Sequence, residues 1–323
     1  MAKYSIGIDL GGTFIKFCLL DEARRARGVF QLPTPADGGP DAVIEHMIGG
    51  GRKLLRDNKV ARSDIIGVGI GSPGPLDLKD GIVLEMPNIA GFKNVSLRDR
   101  VGGGLELPAA LENDANAAAF GEYICGAGAG AGDMVLLTLG TGIGSGIIVD
   151  GKVFHGYHGI GAELGHMIIV PEGEPCGCGQ KGCLERYASA TFISQAATHR
   201  LRSENCRSVL QDVLKRKGAI DAKDIQDAAG AGDAFAAEVW NRVAYYLALA
   251  CVNICRIFDP DEIVLAGGMA KAGDDLVSPL HAHFKNLNWT LTAPTAKIVL
   301  ARLGNDAGVI GAAGVAWQEF GES

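Results

Sequence analysis

The stretch YSIGIDLGGTFIKFCLLD at residues 4–21 reads as a strand, a glycine–glycine–threonine turn and a second strand. DMVLLTLGTGIGSGIIVDGKV at 133–153 repeats that order. Apolar, β-prone runs joined by glycines are hairpins. Two such hairpins in successive halves confine the chain to a duplicated α/β architecture, with a cleft expected between the copies. The boundary falls near residue 112, giving an N-terminal α/β domain over 1–112 and a C-terminal one over 113–307. The last helix, GVIGAAGVAWQEF at 308–320, is expected to return to the first domain.

Between the hairpins the pattern alternates. A third strand is read at 28–32, and 41–57 is helical but weakened by three glycines. IIGVGIGSPGPLD at 65–77 is a buried strand running into a Gly/Pro turn, and LENDANAAAFGEYICG at 111–126 passes from turn formers into an alanine-rich helix. Residues 186–230 are polar and helical, 233–259 form a long helix with one apolar stripe, and EIVLAGG at 262–268 is a strand. The glycine runs at 102–104 and 126–132 are expected to be surface turns or connectors.

Composition narrows the class. The formal charge of −7 over 323 residues disfavours nucleic acid as the main partner. No apolar run reaches the ~18 residues of a membrane span. The opening residues enter a strand at once without a leader pattern, so a cytoplasmic protein is expected. Eight cysteines are too sparse for a disulfide scaffold in a chain this long and point to reduced thiols plus one metal site.

The glycine turns carry the first chemical signal. DLGGT at 9–13 offers consecutive N–H groups and a threonine hydroxyl, a cradle for phosphate oxygens. Asp9, at the strand end, is placed to hold Mg²⁺ directly or through water. GTGIGSG at 140–146 repeats the device, suited to the other side of the same triphosphate. LAGGMA at 265–270 permits close approach of an adenine or ribose. None of these turns is a P-loop or a dinucleotide fingerprint, since GTGIGSG leads into a strand rather than a helix.

Taken in order, DLGGT, GSPGP, ENDANAAAFGE, LGTGIGSGIIVDGKV, GAELGH, CGCGQKGCLE and IVLAGGMA resemble the ROK family of sugar kinases across nearly the whole chain. CLERYASA resembles the bacterial glucokinases of that family in particular. The resemblance implies an actin-like, hexokinase-like ATPase fold of two ribonuclease H-like halves. It also implies ATP with Mg²⁺, a hexose (glucose first) and phosphoryl transfer to a sugar hydroxyl. Asp9, Gly11, Gly12, Thr13, Lys16, Gly140, Thr141, Gly142, Gly267 and Gly268 are then the expected nucleotide contacts.

Transfer to a hydroxyl needs a carboxylate to orient it and accept its proton. Asp114 matches the family's catalytic aspartate, with Asn113 as its sugar-binding neighbour. An asparagine there is also a helix N-cap, and both roles are compatible. A helix N-terminus would be expected to weaken Asp114 as a base. Glu163, His166 and Glu185 resemble the family's sugar-binding residues, and Ser72, Gly74 and Asn88 complete the expected pocket.

His166, Cys176, Cys178 and Cys183 form H-x9-C-x-C-x4-C, a donor set suited to tetrahedral Zn²⁺ and one on which the family carries zinc. Four protein ligands leave no open position, so the zinc is expected to be structural, pinning the loop that bears Glu163 and Glu185. His166 would ligate through one ring nitrogen and donate to the sugar through the other. Alternatives are a kinase of N-acetylglucosamine, N-acetylmannosamine, mannose, fructose or allose, or a sugar-sensing regulator. No helix-turn-helix pattern precedes the first strand to support the last. Polyphosphate as donor and a dimer or tetramer also fit the family.

Overall fold

The computed structural model describes residues 3–86, 89–204, 206–288 and 296–321. In chain order the first half runs β1 (Tyr4–Leu10), β2 (Phe14–Asp21), β3 (Ala26–Pro33), α1 (Gly39–Asn58), β4 (Ile65–Ser72), β5 (Leu76–Asp77), β6 (Ile82–Glu85), β7 (Lys93–Val95), α2 (Leu97–Leu105), β8 (Ala109–Asn113) and α3 (Asp114–Cys125). There follow β9 (Met134–Leu139), β10 (Ile143–Val149), β11 (Lys152–Val153), α4 (Glu185–Ala188), α5 (Ala190–Ser203), α6 (Leu210–Lys217), α7 (Ala222–Gly230), α8 (Ala234–Phe258), β12 (Glu262–Ala266), α9 (Asp274–Leu287), β13 (Lys297–Leu300) and α10 (Ala307–Phe320).

Two five-stranded sheets have related orders, β3-β2-β1-β4-β8 and β11-β10-β9-β12-β13; β5, β6 and β7 form a small third sheet. In each large sheet an antiparallel hairpin is extended by parallel strands. The chain divides into two compact units: Met1–Gly130 with Gly146–Gly161 and Arg302–Ser323, and Ala131–Ser145 with Ala162–Ala301.

In the first unit the period-2 alternation of β1 decides what lies on each face. Ile6, Ile8 and Leu10 join Val43, Met47 and Leu54 of α1 in one core. The opposite face is nearly bare backbone. A Cβ on Gly7 would overlap Val309 O and one on Gly69 would overlap Ala312 O, so α10 lies directly on the strands. Ser5 Oγ donates to Ala313 O across that contact at 2.7 Å. The small residues of GVIGAAGVA permit this approach.

Two readings are corrected. The division is not at 112: residues through Gly130, and Gly146–Gly161, belong to the first unit. The reason is close packing, since Cβ atoms on Gly121 and Gly311 would overlap Ala307 O and Ala117 O, locking α3 against α10. The glycines at 102–104 are not a surface turn but lie within α2. There Gly102 is buried, and a side chain on Gly104 would overlap Ile48 of α1, so the glycines buy close helix packing.

In the second unit the stripe read at 233–259 is α8, which buries Phe235, Val239, Trp240, Val243, Leu247, Cys251 and Ile254. Asp233 caps its start and Asp259 ends it in a left-handed conformation. Strand β13 and the small third sheet carried no sequence signal strong enough to be read, being two to four residues long.

Candidate active site and metal centre

The parallel register of β1, β4 and β8 sets Asp9 beside Gly71, Gly71 beside Glu112, and Ser72 beside Asn113. The expected site residues Asp9, Ser72 and Asn113 thus collect at the carboxyl ends of parallel strands, where open α/β sheets place ligands. The Asp9 carboxylate needs the glycine at 308, where a Cβ would stand 2.8 Å from its Oδ2; a Cβ on Gly71 would only touch Oδ1, at 3.5 Å. Burial, and then the charge of Asp114, push Asp9 up to about 6, while Lys16 pulls it down. Lys16 Nζ itself donates to Asn305 O and lies 3.8 Å from Asp306 Oδ1. A carboxylate whose ionisation is opposed by burial and by a second carboxylate is a fitting donor for a divalent cation.

The turn after β1 is held shut by its own chain. Gly11 N donates to Phe14 O at 3.0 Å, Thr34 N to Thr13 O at 2.9 Å and Thr34 Oγ1 to Gly11 O at 2.7 Å. Gly12 and Thr13 remain exposed at its tip. Sequence reasoning missed Thr34, which lies outside the motif.

Asn113 caps α3, its Oδ1 accepting from Ala115 N at 2.9 Å and Asn116 N at 3.2 Å. Asp114 is exposed at the first helical position, with Oδ1 on Ala115 N at 2.9 Å. Its carboxyl is raised above the ordinary carboxylate range, because protein crowding outweighs the amide hydrogen bonds that act the other way. The expected weakening of the base by the helix N-terminus is therefore overturned by desolvation. A Cβ on Gly74 would be 3.7 Å from Asn113 Nδ2. Ser72 is fully buried, its hydroxyl on Pro73 O at 3.2 Å. Asn88 lies outside the described residues.

In the second unit, β9 and β12 run parallel and bring two glycine turns together. Gly140 N donates to Gly142 O at 3.0 Å, and a Cβ on Gly267 (φ +90°) would stand 2.5 Å from Leu139 O. Gly268 opens a 3₁₀ turn over Met269–Ala272. Thr141, at the tip of the first turn, is exposed. Glu185, the first residue of α4, accepts from Ile143 N through Oε2 at 3.1 Å, and Ala190 N donates to Gly140 O at 2.8 Å. Sequence placed Glu185 and the turn in separate motifs; the structure ties them together.

His166 Nδ1 lies 3.6 Å from Cys176 Sγ, and Cys178 Sγ lies 3.6 Å from Cys183 Sγ. The four donor atoms all fall within 4.8 Å of one another. Gly179 and Gly182 turn the knuckle with positive φ, and Ile168 bridges Cys183 in antiparallel fashion. Burial and the neighbouring sulfurs push Cys183 up to about 12, so its thiolate form would need a cation beside it. The donor set and spacing fit tetrahedral zinc. It is Nδ1 of His166 that lies on the side of Cys176.

Glu163 is exposed, beside Ala162 at φ +66°. Ser145 holds this strained corner, donating to Ala162 O and accepting from Leu164 N at 2.9 Å. Glu163 O accepts from His166 N at 3.0 Å. Ser145 is a second residue that the sequence reading left without a role. A separate cavity of about 450 Å³ in this unit, lined by Arg186, Arg200, Arg242, Tyr187 and Tyr246, contains none of the expected site residues.

The sheet orders, the strand-end glycine turns and the site residues define an actin-like ATPase fold. The ROK family model matches residues 5–319, and the chain belongs to the ROK family. It is 40% identical over 310 residues to the glucokinase of Halalkalibacterium halodurans, covering 96% of this chain and 93% of that one. Among solved structures, the ROK hexokinase of Thermus thermophilus matches with a TM-score of 0.84 and 32% identity over 98% of both chains. The ROK family glucokinase of Streptomyces griseus, in complex with glucose and AMPPNP, matches with a TM-score of 0.76 and 33% identity over 98% of this chain and 99% of that one. Among the described residues no helix is long and apolar enough to cross a membrane.

Proposed function

We propose that the protein is an ATP-dependent hexose kinase that converts D-glucose to glucose 6-phosphate. The observation that carries this reading is Asp114. It is an exposed carboxylate at the start of α3, next to a capping asparagine, with its proton affinity raised by its surroundings. Such a group is suited to orient a sugar hydroxyl and accept its proton.

In this reading Asn113, Glu163, His166 and Glu185 take the sugar hydroxyls, with Ser72, Gly74 and Asn88 completing the pocket. Carboxylates serve this task because each accepts from two neighbouring hydroxyls. The turns at 11–13 and 140–142, with Gly267 and Gly268, offer backbone N–H groups and close approach to the nucleotide. Asp9 would hold Mg²⁺, which when bound neutralises phosphate charge, and Lys16 adds positive charge beside it. His166, Cys176, Cys178 and Cys183 would hold zinc, which when bound anchors the loop that ends in Glu185.

Proton transfer then depends on orientation more than on base strength. In a loose phosphoryl-transfer transition state the hydroxyl proton leaves late, so Asp114 chiefly aims the attacking oxygen. Release of ADP, measured on a panel of hexoses with ATP and then with polyphosphate, tests the reading. Glucose with ATP is expected to give the highest kcat/KM. Sugar-independent hydrolysis, or preference for a different hexose, overturns the assignment of substrate.

A further inference from the structure

Glu112 sits one residue before the Asn113–Asp114 corner and is 2% exposed. Both of its carboxylate oxygens are engaged. Oε1 accepts from Asn113 N and from Asn116 Nδ2, each at 2.9 Å. Oε2 lies 2.7 Å from His155 Nε2. Buried carboxylates persist only where donors satisfy them, and here two of the three donors belong to the corner itself.

His155 arrives from the segment after β11, which also belongs to the first unit. That segment closes on itself through Gly161 N and His155 O at 2.9 Å, so the imidazole is presented from a fixed loop. The contact with Glu112 holds the ring proton above its ordinary range, and Glu319 adds a smaller effect in the same direction. The bond is therefore charge-assisted.

We propose that Glu112 and His155 are positioning residues that fix the Asn113–Asp114 corner at the start of α3. The inference rests on the reading of Asp114 as the base. Without His155, Oε2 is left buried and without its donor. The carboxylate then rotates toward water and gives up Asn113 N or Asn116 Nδ2, and the aspartate that follows loses its aim. Misplacing a reacting group by about 1 Å costs roughly 10²-fold in rate.

The test compares full-length wild type, H155A and H155Q, the last able to donate a neutral hydrogen bond to Glu112. H155A is expected to lose about tenfold or more in kcat while KM for ATP stays within about threefold, and H155Q to recover to within about threefold of wild type. Both variants should melt within roughly 5 °C of wild type. A wild-type kcat in H155A, or equal losses in the two variants that track their melting temperatures, overturns the proposal. A crystal structure of H155A provides a readout independent of turnover. A shift of the Asp114 carboxylate by about 1 Å supports the proposal, and a superposable corner overturns it. If wild type phosphorylates no hexose, the kinase reading fails while this structural comparison still decides the inference.

Discussion

Glu185 Oε2 accepts a 3.1 Å hydrogen bond from the amide of Ile143, and the same oxygen occupies the space that a side chain at residue 142 would need. The first residue of α4 and a glycine of the turn after β9 thus set each other's position. Gly142→Ala should push the carboxylate off the Ile143 amide. The loss of one charge-assisted hydrogen bond predicts a rise of about tenfold or more in KM for the sugar. The melting temperature should stay near that of wild type, because the displaced atoms are the end of a flexible side chain. Steady-state kinetics with glucose varied, alongside a thermal melt, checks both halves.

Glu122 does for the fold what Glu112 does for the corner. It is fully buried and accepts from three backbone amides, Ala127 N at 2.8 Å, Arg302 N at 3.0 Å and Leu303 N at 2.7 Å. It ties the end of α3 to the segment that leads into α10. Glu122→Ala strands three donors and should cost about 2–4 kcal/mol, with Glu122→Gln intermediate because one acceptor remains. Urea denaturation of the first unit's signal, followed through Trp317, whose Nε1 donates to Leu20 O in that unit, reports the loss.

Asp114 illustrates a conflict between function and stability. Its carboxyl is raised in the folded chain, so between the ordinary value near 3.8 and the raised value the unfolded chain releases its proton first. Ionisation therefore destabilises the fold as pH climbs through that window. Asp114→Asn removes this cost and the charge that raises Asp9. The variant should melt at or above wild type at neutral pH, and the advantage should vanish below about pH 4, where both forms are uncharged. Melting curves from pH 3.5 to 8 test the sign.

The four clustered donors His166, Cys176, Cys178 and Cys183 predict one zinc per chain by atomic absorption. Cys178→Ser should lose the metal and, with it, the placement of Glu185, so metal content and sugar affinity should fall together. Full activity of metal-free protein would separate the knuckle from the sugar site.

The clustering of His166, Cys176, Cys178 and Cys183 was readable in the sequence because all four lie between 166 and 183, and local spacing fixes what local loops bring together. The Asn113 cap was readable for the same reason. The Glu112–His155 pair was not, since its members are 43 positions apart and neither belongs to a periodic pattern. Burial alone marks Glu112 within a motif where its two neighbours drew the attention. The glycines at 102–104 misled because glycine signals a turn by conformation but here serves α1–α2 contact by size. The residues after 112 were divided wrongly because α3 belongs with α10, a partner nearly two hundred residues later, through an interface of glycine and alanine that has no hydrophobic signature of its own.

The central claim is that Asp114 accepts the hydroxyl proton of the bound hexose. Calorimetric binding and steady-state turnover of Asp114→Asn test it most directly. The account predicts Kd values for ATP and glucose within about threefold of wild type and a kcat lower by about 10² or more. Turnover close to wild type with binding intact would contradict it.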